Sequence, residues 1–365
     1  MMIVEESRQP RGIVKLNGDI ITGWVSFEVD NNQFRSADTF RILLCATDLP
    51  DSRGVDWIAS QTSIIVEIYA GFPADPDNYS PKDLTLLISG NADAVDYSPV
   101  TTTIELTGRD KTALLIDSKT SEHFLNQTAS QIAESIAARH GLKAVVTATT
   151  AKAGSYYQID HDATTQEQTE WELLTFMANI EDFVLFVRGD ELHFEKKAKA
   201  SDDKYIIEWV KPKGEIGYHE ANVLTLNFSR NLTVAKGVAV EVHSWNAKKK
   251  AGFSAFYPRA PKAVKPGSEG SKTQNYRYNI AGLTQDQAEK RAGSIYRQIV
   301  AHTMNMDATM PADNTLTCDR IITVKGTGTT FDQDYYPTDI TRTMDFVRGY
   351  TMDVKAKNTT PDLDI

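Results

Sequence analysis

Apolar residues in this chain recur at every second position, in many short runs, and that period limits its fold more than any other feature. Val25, Phe27 and Val29 alternate with Trp24, Ser26 and Glu28. Phe40, Ile42 and Leu44 repeat the pattern, as do Ile64, Val66 and Ile68, then Leu84, Leu86 and Ile88, then Thr102, Ile104 and Leu106. A period of two turns one face of a strand to a core and the other to solvent or a neighbour. Runs of this kind, broken by Gly, Asp and Pro turns and by a loop at 71–81, predict a first antiparallel β-barrel over residues 1–110.

The period changes after residue 110. Thr128, with Gln131 three residues on, forms a capping box, and Ile132, Ala133, Ile136 and Ala137 follow at helical spacing up to His140 and Gly141. Thr169 and Glu172 form a second box, with Trp171, Leu174, Met177 and Ala178 behind it. Two apolar runs, 183–187 and 191–195, flank Arg188-Gly189-Asp190 and predict a hairpin. Residues 111–204 therefore read as a small α+β insert. Residues 205–365 return to β, with Leu224, Leu226 and Phe228, then Val238, Val240 and Val242, then 321–324, 340–346 and 350–354. Within them the Lys-, Pro-, Gly- and Ser-rich stretch 246–275 predicts an exposed loop. Thr284 and Gln287 open a helix near 285–301. The fold class expected is α+β, mainly β, with two antiparallel barrels around an α+β insert. Residues 26–44 and 225–242 echo one another, as do 102–115 and 343–354, so a duplication is one reading of the two barrels.

Composition narrows the function. The net charge is −10, which repels phosphate on average and argues against sequence-specific nucleic-acid binding. No apolar run approaches the 18 or so residues that span a membrane, and the N-terminus lacks the basic start and apolar core of a leader. Cys45 and Cys318 lie far apart in apolar runs and read as small buried hydrophobes in a reducing compartment.

Candidate chemistry is sparse. Seven histidines include no H-E-x-x-H, and His161-Asp162 and the Asp75/Asp77 pair are the nearest approaches to a metal site, both better read as solvated loop. Asp93 with Asp96, or Glu170 with Glu172, are the carboxylate pairs a glycosidase would need; a turn explains the first and a helix cap the second. Gly326-Thr327-Gly328 lacks the Lys-Ser/Thr of a phosphate loop and reads as a hairpin turn, as does Arg188-Gly189-Asp190. The Lys run 248–250 reads as solvated loop. Phe253, Phe256 and Tyr257 stand out as aromatics in a cationic loop. Either they mark a protein contact or they fold back onto the chain's own β-unit. No cofactor, metal or catalytic residue is expected.

Several blocks together resemble the phage baseplate hub family of late control protein D and the Mu-type hub, related to the N-terminal part of type VI secretion spikes. FEVDNNQFRSADTFRILL resembles its opening, GRDKTALLIDS and FLNQTASQIAESIAARHGL its middle domain, and QTEWELLTFMANIEDFVLFVRGDELHFE its next block. VKGTGTTFDQDYY and FVRGYTMDVKAKN resemble its closing strands, and the resemblance spans most of residues 20–355. Many members carry a His before the final Gly-aromatic step, where this chain has Arg342 and Thr343. The resemblance implies a non-enzymatic homotrimer in the virion tail, assembled in the host cytoplasm. Three chains would present six barrels. Its partners would be the tail tube protein or a distal tail adaptor, the spike, the tape measure protein and baseplate wedge proteins, around a channel that an acidic lining would leave free for DNA. Two rival expectations are a tail-tip protein that binds or degrades cell wall, and the hub of a contractile injection or type VI secretion particle.

Overall fold

The computed structural model describes residues 9–32, 36–120, 124, 126–150, 168–181, 183–196, 204–212, 218–231, 238–246, 251–258, 274–280, 283–300 and 304–358. The chain opens with β1 (Arg11–Leu16), β2 (Asp19–Ile21), β3 (Trp24–Asn32) and β4 (Thr39–Cys45). A short helix, α1 (Val55–Ser60), then leads to β5 (Ile65–Gly71), β6 (Thr85–Ser98) and β7 (Thr103–Asp110). These seven strands lie side by side in the order β2-β1-β5-β6-β7-β4-β3, all neighbours antiparallel. The alternation does what the period demands: Phe27, Val29, Phe40, Ile42, Leu44, Val66, Ile68, Ile104 and Leu106 are buried.

One stripe departs from expectation. Leu86 is exposed, although it shares the period of Leu84 and Ile88. The β5–β6 register shifts between Ile68 and Tyr69, so that Leu87 becomes the extra residue and packs on the core in its place. A bulge of this kind resets which face a side chain takes.

The next segment carries α2 (Thr112–Asp117), β8 (Lys119–Thr120), α3 (Ala129–Arg139), β9 (Lys143–Val146), β10 (Gln168–Thr169), α4 (Glu170–Glu181), β11 (Phe183–Arg188) and β12 (Glu191–Lys196). Both capping boxes form: Thr128 and Gln131 exchange bonds with each other's backbone N–H at the start of α3, and Thr169 and Glu172 do so at α4. The helices cover a three-stranded sheet, β11-β12-β9, around their own core of Leu115, Ile132, Ile136, Leu174, Leu192 and Phe194.

The last part runs β13 (Tyr205–Val210), β14 (Glu220–Ala221), β15 (Thr225–Arg230), β16 (Val238–Asn246), β17 (Ala251–Tyr257), β18 (Gln274–Asn279), α5 (Gln285–Val300), β19 (Met304–Pro311), β20 (Ile322–Lys325), β21 (Asp334–Asp345) and β22 (Gly349–Asn358). Seven of these strands lie in the order β14-β13-β20-β21-β22-β19-β15. That sequence of neighbours repeats the first set position for position. The sense of β13 differs: it runs parallel to β20, where β1 is antiparallel to β5, so this set is not wholly antiparallel as expected. The two sets join through β3 and β21 into one fourteen-stranded sheet, and one continuous core runs through both, from Val14, Phe27 and Leu106 to Met306, Tyr335 and Val354.

Two further expectations are corrected. The stretch 246–275 is not one loop, because β17 lies within it and pairs antiparallel with β16. Gly252 and Ser254 alternate there with Phe253, Ala255 and Tyr257, and their small, polar character hid the period of two. The echo of 225–242 with 26–44 holds for β15 and β3, but the counterpart of β4 is β19, because β16–β18 and α5 are inserted between β15 and β19. Likewise 102–115 is a strand followed by α2, and the counterpart of the β21–β22 hairpin is β6–β7.

Candidate functional site

The joint between the two sets shows how this sheet is extended. β21 has β22 along one edge and two successive partners along the other. Tyr335 pairs with Ile322 of β20; after an irregularity between Pro337 and Asp339, residues 339–345 pair with β3, from Asp339 opposite Asn32 to Asp345 opposite Ser26. The Thr341 hydroxyl donates to Asp30 at 2.7 Å. Arg342, buried to 4 % exposure, donates from Nη1 to the Asn31 side chain at 2.8 Å and from Nη2 to the Leu316 carbonyl.

Two half-buried carboxylates back this joint. Asp38 accepts from the Asn31 side chain and the Asn32 N–H at 2.8 and 2.9 Å, and burial raises its pKa. Asp110, just before α2, accepts from the Thr112 N–H and hydroxyl, and burial, then the charge of Asp38, push it up to about 7. Cys318 lies near Asp38 and donates to the Asn31 carbonyl at 3.5 Å; burial pushes its thiol up to about 12, so it is an inert apolar filler.

The counterparts of β21 and β3 lack this partnership. β6 pairs with β5 up to Asn91, shifts register between Ala92 and Ala94, and continues to Ser98 with β7 alone beside it among the described residues. β15 has β19 along one edge and, among the described residues, no strand along the other. Val95 and Tyr97 lie on the same side of the sheet as the buried Leu106 and Ile104 opposite them, yet both are exposed. An open strand edge is a template for another chain. At one end of the sheet, the β6–β7 and β21–β22 turns are also equivalent, and each carries apolar residues into solvent: Val100 at 92 %, Phe346 at 77 % and Val347 at 95 % exposure. Phe346 stacks on Trp24 at 5.3 Å.

The nominated aromatics divide. Phe253 packs on the core formed by β16 and α5, and Tyr257 lies against Tyr296 at 5.1 Å, so both turn towards the helix. Phe256 alternates with them and faces the other side, opposite Glu241. The three therefore form no single patch.

Three of the four carboxylates nominated for cleavage have structural duties, and the fourth, Asp96, lies exposed on β6. Asp93 is the bulged residue of β6, not a turn residue, and binds Arg109 through both oxygens at 2.6 and 3.0 Å; Arg109 also binds Asp117. Glu172 is the helix cap, and buried Glu170 holds Arg139 and His140. Asp75 accepts from the N–H groups of Asp77 and Asn78 in its own loop. Gly326–Gly328 and Arg188–Asp190 are turns, the former tied by Asp332. His161, Asp162 and Lys248–Lys250 lie outside the described residues. Among the described residues no cluster of three His, Cys, Asp or Glu side chains is placed to hold a metal, and no helix is long and apolar enough to cross a membrane. The open edges were missed because strand pairing is non-local; the only local trace is Val95 and Tyr97 flanking Asp96.

No family model matches the sequence, and no curated protein matches it. Solved structures do. A tail protein from Neisseria meningitidis superposes with a TM-score of 0.68 at 13% identity, over 97% of this chain and 99% of its own. The 43 kDa tail protein of prophage MuSo2 from Shewanella oneidensis gives 0.65 at 16% identity, over 95% and 98%. An E. coli component of the type VI secretion system, itself described as structurally similar to bacteriophage tail proteins, gives 0.54 at 11% identity, over 95% of this chain and 77% of that one. The fold of this chain is the one shared by these phage tail and type VI secretion proteins, in accord with the baseplate hub resemblance carried by its sequence.

Proposed function

We propose that this chain is the structural hub of a phage or phage-like tail: a homotrimeric adaptor that joins a sixfold tail tube, or a distal tail adaptor, to a central spike. The observation that carries this reading is the repeated strand order. Two like β-units in one polypeptide let three copies imitate sixfold symmetry, and each unit is one barrel-like position of the ring. Each unit also presents one apolar hairpin turn at the same end of the sheet, so a trimer offers six such tips to a sixfold neighbour. The threefold end meets the spike, and the tape measure protein and baseplate wedge proteins are the further neighbours. An acidic chain suits a channel through which a genome must slide without sticking. Cell-wall cleavage is disfavoured, because in each nominated pair at least one carboxylate is committed elsewhere: Asp93 and Glu170 hold arginines and Glu172 caps a helix. The test is mass in solution, alone and with the spike protein of the same tail. A trimer in either condition is expected. A monomer in both, or cell-wall clearing by the purified chain, overturns the proposal.

A further inference from the structure

We infer that the trimer closes by strand pairing between copies: β15 of one copy pairs antiparallel with residues 94–98 of β6 in the next, with Tyr97 opposite Phe228 and Asp96 opposite Ser229. This rests on the trimeric reading above and adds the contact that makes it.

The register follows from the internal joint. The bulge of β6 after Ala92 matches that of β21 after Pro337, so Ala94 corresponds to Asp339 and Tyr97 to Arg342. The hairpin partners agree, since Ala94 lies opposite Thr107 and Asp339 opposite Lys355. Phe40 of β4 faces Gly108 as Met306 of β19 faces Ala356, which equates β4 with β19. Val29 faces Phe40 as Phe228 faces Met306, which equates Val29 with Phe228. Inside the chain Arg342 lies opposite Val29. Between chains Tyr97 therefore lies opposite Phe228.

The chemistry at each place fits. Tyr97 and Phe228 are both core-side residues, and Tyr97 is 47 % exposed until a neighbour arrives. Phe228 already stacks on Phe331 at 4.9 Å, so Tyr97 extends an aromatic row. At the internal joint a hydroxyl on β21, Thr341, donates to a carboxylate on β3, Asp30. Between chains the roles swap strands: Ser229 on β15 donates to Asp96 on β6. The arginine swaps as well. Internally Arg342 on β21 reaches across β3; between chains Arg230 on β15 sits beside Tyr97, where a guanidinium can lie on the ring. The contact is heterologous, an edge of one kind meeting an edge of the other, so it generates a ring and leaves neither edge open.

The test pairs Asp96→Cys with Ser229→Cys in the full chain. Both positions are exposed in the isolated chain, so folding tolerates them. Mild oxidation of the trimer is expected to give covalent dimers and trimers on a denaturing gel. Each single variant, and the shifted pair Asp96→Cys with Asn227→Cys, is expected to give none. Tyr97→Lys is expected to raise the trimer dissociation constant at least tenfold with an unchanged circular dichroism spectrum. A trimer by mass that links through the shifted pair, or through neither, overturns the register while leaving the hub reading standing. A chain that stays monomeric with its spike partner overturns both.

Discussion

Asp110 is the residue whose environment has the clearest consequence in solution. An ordinary aspartate loses its proton near pH 4, whereas burial beside Asp38 holds Asp110 protonated up to about 7. Between those values the folded chain binds a proton that the unfolded chain has released, so stability falls as pH rises through this window and levels off above it. Asp38, also raised, adds to the same slope, while the nearby Arg188 opposes it. Asp110→Asn keeps an acceptor for the Thr112 N–H and removes the titration. Urea midpoints at pH 5 and pH 7.5 should differ clearly in the native chain and much less in the variant. A second residue test concerns close approach. A methyl at Gly90 would sit 1.9 Å from the Arg109 carbonyl oxygen, where β6 crosses β7, so Gly90→Ala should cost about 3 kcal/mol or more. Gly18, in the open β1–β2 turn at φ +89°, meets nothing, and Gly18→Ala should cost only about 1 kcal/mol. The ratio of the two losses in denaturant titrations checks the geometry.

At the scale of elements, what the sequence discloses is what depends on near neighbours. The three longer helices announced themselves because a cap is a matter of four consecutive residues, and Thr128, Thr169 and Thr284 all bond the N–H three positions on. Thr128→Ala should therefore lower stability by about 1 kcal/mol, read as a shift of the chemical midpoint, with the β-sheet spectrum intact. The strands were legible wherever a clean period of two survives. They were misread where a bulge resets it, at Leu87 and Asp93, or where small residues dilute it, at Gly252 and Ser254. The site lies beyond that reach altogether. Whether Val95 and Tyr97 are core or rim depends on β5 ending at Ile65, opposite Asn91, a fact about a partner strand and not about residues 94–98. Phe253 and Tyr257 drew notice by composition alone; the core of β16 and α5 takes up Phe253, and Tyr257, still partly exposed, lies against Tyr296 more than thirty residues away.

For the whole molecule, the repeat separates what is common to both β-units from what has been added to one. In the first unit β3 passes to β4 through residues 33–38; in the second, the matching passage from β15 to β19 contains β16, β17, β18 and α5. That insertion has a core of its own, built from Val240, Val242, Ala255, Ala288 and Ile295, apart from the continuous core of the fourteen-stranded sheet. Its helix touches α4 of the other α/β segment, so the two additions lean on one another. If the repeat is the working part, the insertion is dispensable for folding and assembly. Replacing residues 232–303 by the six-residue sequence of 33–38 should leave a folded chain with the mass in solution of the native assembly. It should unfold somewhat more easily, because α4 loses its neighbour. A chain that fails to fold would mean that the insertion, and not the repeated strand order, holds β15 and β19 together.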